Sequence, residues 1–283
     1  MTEIPFIKMH GISNDFVVLD ARTDAIDLSE DTIRAIGDRK RGVGFDQLLT
    51  LKPAENGADV FMGIHNPDGS TAGACGNGTR CVARLIMDQT GTDQVSIDTV
   101  GGLLLARDAG NGLVTVDMGV PRTDWQQIPL SAEMDTASVP YSITDANGVT
   151  YANPVAVSMG NPHLVFTVDN AETVPLTEIG PLIEHADILP DRANVSFVSR
   201  REDGTLRLRV WERGAGITGA CGSGTCATAY AATQRGMMDG RTRIDLDGGP
   251  LWMEIDDRGH ILMTGGASYS FHARFDPEKL DRV

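Results

Sequence analysis

Short apolar runs rich in β-branched residues, cut by glycine-bearing turns, make up most of this chain. Residues 4–20 read as two strands around a turn at Gly11-Ile12-Ser13-Asn14, the second strand passing through Phe16, Val17, Val18 and Leu19. Residues 27–39 carry a helical pattern instead, with Ser29 as cap and Ile33 and Ile36 on one face. Strands follow at 48–51 and 60–65, the second ending in the turn chemistry of Asn66-Pro67-Asp68-Gly69. After Cys75, the spacing of Val82, Leu85, Ile86 and Gln89 predicts a helix with one apolar stripe. Strands at 95–99, 102–106 and 113–118 come next, joined by Gly-Gly and Asn-Gly turns.

The same order is then written again. Gly73-Ala74-Cys75-Gly76-Asn77-Gly78-Thr79-Arg80-Cys81 returns as Gly219-Ala220-Cys221-Gly222-Ser223-Gly224-Thr225-Cys226-Ala227. Asn161 follows Asn14 by 147 positions, Cys221 follows Cys75 by 146, and Gly265 follows Gly119 by 146. A near-constant offset across such landmarks implies an internal duplication. The fold class expected is α+β: two pseudo-symmetric lobes, each a mostly antiparallel, barrel-like sheet around a central cysteine-led α-helix. The lobes are expected at 1–119 and 120–267, with the tail 268–283 completing the first. Residues 120–153, rich in Pro, Ser, Thr and Asp, hold the crossover and an extra strand near 139–143. The alanine-rich helix from Thr225 to Thr233 reads as a core helix inside its barrel.

Composition narrows the partners. With 24 basic against 39 acidic residues the net charge is -15, which repels nucleic acid and anionic membrane surfaces. No apolar run approaches spanning length and the N-terminus lacks a leader pattern, so a cytoplasmic protein is expected. Four cysteines do not make a disulfide scaffold in a chain of 283 residues. A zinc site is disfavoured by the 75/81 and 221/226 spacings and by scattered histidines. The glycine loops lack the lysine of a phosphate loop. Lys8, Lys40, Lys52 and Lys279 stand in no motif for pyridoxal phosphate. No metal and no cofactor is expected.

The candidate chemistry sits at the repeats. Each of Cys75 and Cys221 precedes a glycine-rich turn leading into a helix, where N–H groups and the positive helix end converge and lower a thiol pKa. Two such thiols suggest paired acid/base groups, one for each face of a substrate carbon. Cys81 and Cys226, inside the helices, read as small buried hydrophobes. Asn66 aligns with Glu212, so both lobes offer a polar group at a strand end towards a shared cleft. Arg213, beside Glu212, can clamp a carboxylate.

These segments carry a resemblance to the diaminopimelate epimerase family. It rests on His10-Gly11-Ile12-Ser13-Asn14-Asp15-Phe16, Gly44-Phe45-Asp46-Gln47-Leu48, Asn66-Pro67-Asp68-Gly69-Ser70, Met159-Gly160-Asn161-Pro162-His163, Arg192-Ala193-Asn194, Trp211-Glu212-Arg213-Gly214-Ala215-Gly216 and both cysteine motifs, in family order along the whole chain. The resemblance implies a pyridoxal-independent inversion at one α-carbon of LL-2,6-diaminopimelate, giving the meso form, in lysine and peptidoglycan-precursor synthesis. It implies Cys75 and Cys221 as the two bases, by convention donor and acceptor, with His163 and Glu212 setting their protonation. It further implies Asn14, Gln47, Asn66, Asn161, Asn194 and Arg213 as substrate contacts, with Asn66, Asn194 and Arg213 at the distal amino-acid end. Backbone N–H groups at Gly76, Asn77, Gly222 and Ser223 would meet the α-carboxylate, and a homodimer is implied. One departure is Ile217, before Thr218, where the family often has an acidic residue; it takes away a carboxylate from that loop.

The alternatives are a proline or hydroxyproline racemase with the same cysteine pair, and a thiol redox protein whose Cys75 and Cys221 form a reversible disulfide. A proline substrate gives Asn66, Asn194 and Arg213 no second charged end to bind. A redox protein needs an exposed low-pKa thiol and no deep polar cleft. A binding module gives no reason for matched cysteines.

Overall fold

The structure, a computed structural model, describes residues 3–280; 281–283, the end of the expected tail, lie outside the described residues. Two compact units divide the chain, Met1–Asp117 with Thr264–Val283, and Met118–Met263.

The first unit contains β1 (Ile4–Gly11), β2 (Asn14–Asp20), α1 (Glu30–Gly37), β3 (Gln47–Lys52), β4 (Val60–His65), α2 (Gly76–Thr90), β5 (Gln94–Thr99), β6 (Gly102–Gly110) and β7 (Leu113–Asp117). Its strands lie side by side in chain order. Neighbours run antiparallel except β2–β3 and β4–β5, which are parallel. Those two junctions are where α1 and α2 carry the chain back, as a parallel pair requires.

The second unit opens with a hairpin of β8 (Ser142–Thr144) and β9 (Thr150–Ala152). Then come β10 (Val155–Ser158), β11 (Pro162–Thr167), α3 (Leu176–Glu184), β12 (Asn194–Arg200), β13 (Leu206–Glu212), β14 (Gly216–Ile217), α4 (Gly222–Gln234), β15 (Thr242–Leu246), β16 (Gly249–Ile255) and β17 (Ile261–Gly266). Its order, β10-β11-β12-β13-β15-β16-β17, reproduces the first unit strand for strand, and the parallel pairs again fall at the helical crossovers, β11–β12 and β13–β15. The duplication expected from the 146-residue offset is therefore present in topology. Within β17, at Thr264, the chain re-enters the first unit, and it ends in β18 (Ser268–Phe275), antiparallel to β1.

Two local expectations need correction. The strand expected at 139–143 begins only at Ser142, because Pro140 has no N–H for a ladder and Val139 is packed in the core. The amphipathic stripe expected after Cys75 is too narrow. Val82, Leu85 and Ile86 are buried and Gln89 exposed, but residues 77–83 are buried on every side. The cause is the wrap of the sheet, since α2 packs against β1 and β2 as well as β5, β6 and β7, strands from both ends of the order.

Helix α4 sits likewise among β10, β11, β12, β13 and β16. Its alanines and threonines are small enough to be enclosed, and the buried Thr225 and Thr228 satisfy their hydroxyls by donating to the Cys221 and Gly224 carbonyls, both at 2.7 Å. The other two helices pack outside. Ser29 caps α1, accepting from Thr32 N at 3.2 Å, and Ile33 and Ile36 meet Val17, Leu19, Phe45 and Leu48. Ile179 and Ile183 of α3 join the cluster in which Phe166 and Phe197 stack at 4.9 Å.

Candidate active site

Both repeated cysteines are helix N-caps. Cys75 Sγ accepts from Gly78 N at 3.2 Å and Cys221 Sγ from Gly224 N at 3.3 Å. This is the role a serine or aspartate plays at an ordinary N-terminus, satisfying an N–H the helix leaves open. The third residue of each turn must be small: a Cβ on Gly78 would lie 3.3 Å from the Cys75 sulfur, and one on Gly224 would lie 3.1 Å from the Cys221 sulfur. The four cysteines are all present as thiols. Cys75 is half-buried, while Cys221, Cys81 and Cys226 are buried, and burial pushes the Cys81 thiol up to about 12.

In the first unit a polar chain leads away from the Cys75 helix. Asn77 Nδ2 donates to Asn14 Oδ1 at 2.6 Å, and Asn14 Nδ2 donates to Asp46 Oδ2 at 3.0 Å. Arg39 bridges Asp46 and Asp15, at 2.7 and 2.6 Å. Burial works against the Asp15 charge, but the bonds to Arg39 and Lys8 outweigh it and hold that carboxyl below its ordinary range. Gln47 Nε2 donates to Asn66 Oδ1 at 3.2 Å, and Asn66 Nδ2 donates to Ser70 Oγ at 3.0 Å. Thus Asn14, Gln47, Asn66, Gly76 and Asn77 stand with Cys75 in one unit, at strand ends and the helix start.

In the second unit a different chain reaches the sulfur itself. His163 Nε2 faces Asn161 Oδ1 at 3.0 Å, Asn161 Nδ2 donates to Ser223 Oγ at 3.2 Å, and Ser223 Oγ stands 3.7 Å from Cys221 Sγ. Burial first, and the Arg213 charge second, bring the His163 pKa down to about 3. The ring is therefore neutral, and because Asn161 Oδ1 accepts, its proton sits on Nε2. Nδ1, also buried, accepts no hydrogen bond among the described residues.

Glu212 sits at the end of β13, where Thr218 Oγ1 donates to it and where it hydrogen-bonds Cys221. Burial, then this carboxylate, hold the Cys221 thiol well above its ordinary range, against the pull of Gly224 N–H and Ser223. The lowered thiol pKa expected from the helix end is thus reversed at Cys221. Desolvation of a sulfur anion, plus a fixed negative charge beside it, exceeds what one N–H and a helix terminus supply. His163 does not touch either thiol in these contacts; its partner is Asn161.

Asn194 is buried, accepting from Arg213 N and donating to Pro162 O, both at 3.0 Å. It ties the Arg213 turn to the His163 strand. Arg213 is exposed and its Nη1 donates to Asp191 O at 2.9 Å. Glu184, also buried, holds the same turn by accepting from Trp211 Nε1 at 2.7 Å and Gly214 N at 3.0 Å. Glu184, Asp46 and Arg80 were missed by the sequence reading. Asp46 and Arg80 stand within the motifs that carry the resemblance, and Glu184 left no signal. Among the described residues, no group of His, Cys, Asp or Glu is placed to hold a metal ion.

The duplicated α+β fold, with a cysteine capping the inner helix of each repeat, has counterparts among solved structures. The solved hydroxyproline epimerase from Agrobacterium vitis, with bound trans-4-hydroxy-L-proline, matches with a TM-score of 0.67 over 97% of this chain and 91% of that one. At 15% identity that likeness is one of fold. Sequence comparison is more specific. The diaminopimelate epimerase family model matches residues 6–123 and 155–270. Diaminopimelate epimerase of Rhodospirillum centenum is 51% identical over 267 residues, 94% of this chain and 90% of its own length. That of Acidiphilium cryptum is 46% identical over 276 residues, 98% of both chains. The chain belongs to the diaminopimelate epimerase family.

Proposed function

We propose that this chain is an isomerase that interconverts LL- and meso-2,6-diaminopimelate without a cofactor, with Cys75 and Cys221 as its two acid/base groups. The observation that carries the reading is the matched pair of N-cap thiols, one in each repeat, in a chain of this family. Inverting an α-carbon without turning the substrate needs one group to remove a proton and a second to return one on the opposite face. Burial and the Glu212 carboxylate keep Cys221 protonated. A turnover beginning from this form therefore draws the α-proton with Cys75 and returns one from Cys221; the reverse reaction exchanges the roles. In this reading N–H donors at Gly76, Asn77, Gly222 and Ser223 stabilise the α-carbanion as its charge develops.

In this reading Asn14, Gln47 and Asn161 bind substrate, while Asn66, Asn194 and Arg213 read its distal amino-acid end. His163 acts on Cys221 through Asn161 and Ser223, and Glu212 acts on it directly. The epimerase lobes are 1–119, completed by 268–283, and 120–267. The protein works as a homodimer in the cytoplasm. Exposed Tyr269 and Phe271 on the terminal strand β18 support the dimer. No helix among the described residues is long and apolar enough to cross a membrane.

The test is proton NMR of LL-diaminopimelate in deuterated buffer with reduced protein, beside L-proline and trans-4-hydroxy-L-proline. Loss of the α-proton signal with growth of the meso isomer is expected only for the first. Cys75→Ser and Cys221→Ser are expected to fold and to lose at least about 100-fold in turnover. Exchange confined to the proline compounds overturns the substrate, and full activity in either variant overturns the two-base assignment.

A further inference from the structure

Arg80 is fully buried in the first unit, and the matched place in the second motif is held by Cys226. A buried guanidinium is costly unless bonded, so a duplicated fold that manages without one in its other half needs a reason to keep it here. The side chain runs beside Gly11, where a Cβ would lie 3.5 Å from Nη2 and 3.0 Å from the Gly266 carbonyl oxygen. Nε donates to Gly266 O at 3.4 Å and Nη2 to Asn77 Oδ1 at 2.7 Å.

The consequence lies further along. A guanidinium only donates and a carboxylate only accepts, whereas an amide can be turned either way round. With Arg80 at one end, Asn77 must offer Oδ1 to it and Nδ2 to Asn14. With Asp46 at the other end, Asn14 must offer Nδ2 to the carboxylate and Oδ1 to Asn77. The two ends demand the same direction, and both amides obey it. In the second unit the corresponding Asn161 stands between an imidazole and a hydroxyl, groups that can each donate or accept.

We propose that Arg80 is a positioning residue which, with Asp46, locks the direction of the Asn77 and Asn14 amides at the start of the Cys75 helix. The proposal rests on the reading that these amides meet a zwitterionic amino acid. To such a substrate, a fixed N–H edge and a fixed oxygen edge are not interchangeable. Either end alone suffices to set the direction, and only removal of both frees it.

The experiment is a double-variant cycle in the full chain with Arg80→Gln and Asp46→Asn, each of which turns a one-way group into a two-way one. Each single variant is expected to raise KM about threefold or less with kcat little changed. The double variant is expected to raise KM about tenfold beyond the product of the singles. Plain attraction between the two charges gives the opposite sign, since once one is gone the other has less to lose. Arg80→Lys, still donor-only, is expected to abolish the excess. The same cycle read by thermal unfolding needs no substrate, and the double variant should melt about 3 °C or more below the additive value. If Arg80→Gln does not fold, Asn77→Asp replaces it. That variant keeps the Arg80 partner but forces Asn14 to turn its oxygen towards Asp46, so it should lower the melting temperature and Asp46→Asn should restore it. Additive or milder-than-additive cycles, or no restoration, overturn the proposal. Wild-type protein inert towards LL-diaminopimelate overturns the function and leaves the melting cycle to judge the lock.

Discussion

Acid should weaken this protein more than a variant in which His163 is replaced by phenylalanine, the residue found at the matched position, Phe16. His163 is 0% exposed and its pKa falls from 6.5 to about 3, through burial first and the Arg213 charge second. The unfolded chain takes up that proton near the ordinary value, so between the two pKa values it binds more protons than the folded chain does. The stability this group contributes is full above about pH 6.5 and is lost as pH falls from there towards about 3. At pH 5 the loss is about 2 kcal/mol, and its limit at lower pH is about 5 kcal/mol. Urea unfolding of wild type and His163→Phe at about pH 8 and pH 5 measures it. The bond to Asn161 is missing from the variant at both pH values, and both proteins carry the same carboxylates, so those contributions cancel. Wild type is expected to lose about 2 kcal/mol more than the variant between the two conditions. Equal losses, within about 0.5 kcal/mol, would refute the assignment of a neutral, buried imidazole.

Two further outcomes follow from the Cys221 surroundings. Glu212→Gln removes a negative charge that holds the thiol proton on, so the midpoint of Cys221 alkylation against pH, mapped by mass spectrometry, should fall; an unchanged or higher midpoint refutes it. Gly224→Ala places a methyl 3.1 Å from the Cys221 sulfur. Turnover should drop about tenfold while stability changes by about 1 kcal/mol or less; unchanged turnover refutes the need for that close approach.

The duplication was legible because it leaves a constant offset, and the two N-cap cysteines because glycine turns and helix formers follow them directly. The parallel junctions at β2–β3 and β13–β15 were less legible, since a strand's own alternation says nothing about which neighbour it finds. The burial of α2 on all sides was hidden for the same reason. Thr79 and Arg80 look solvent-facing until a sheet folds over them. At the candidate site, residue types pointed to His163 and Glu212, but not to their partners. The lowered thiol pKa expected at Cys221 is reversed because the helix end is local and readable, whereas desolvation and the Glu212 carboxylate depend on the whole unit. Glu184 gave no signal, as a carboxylate at a helix end is ordinarily solvated, and Asp46 stood in a family motif with no role attached to it.

The pairing of β18 with β1 has a consequence for synthesis. At ordinary elongation rates the roughly 150 residues between β7 and β18 take on the order of ten seconds to appear. Through that interval the outer edge of β1 carries unpaired N–H and C=O groups, an invitation to pair with another nascent chain. Most of the second unit emerges before residues 268–275 leave the ribosome. The half of the chain that is made first is the half completed last.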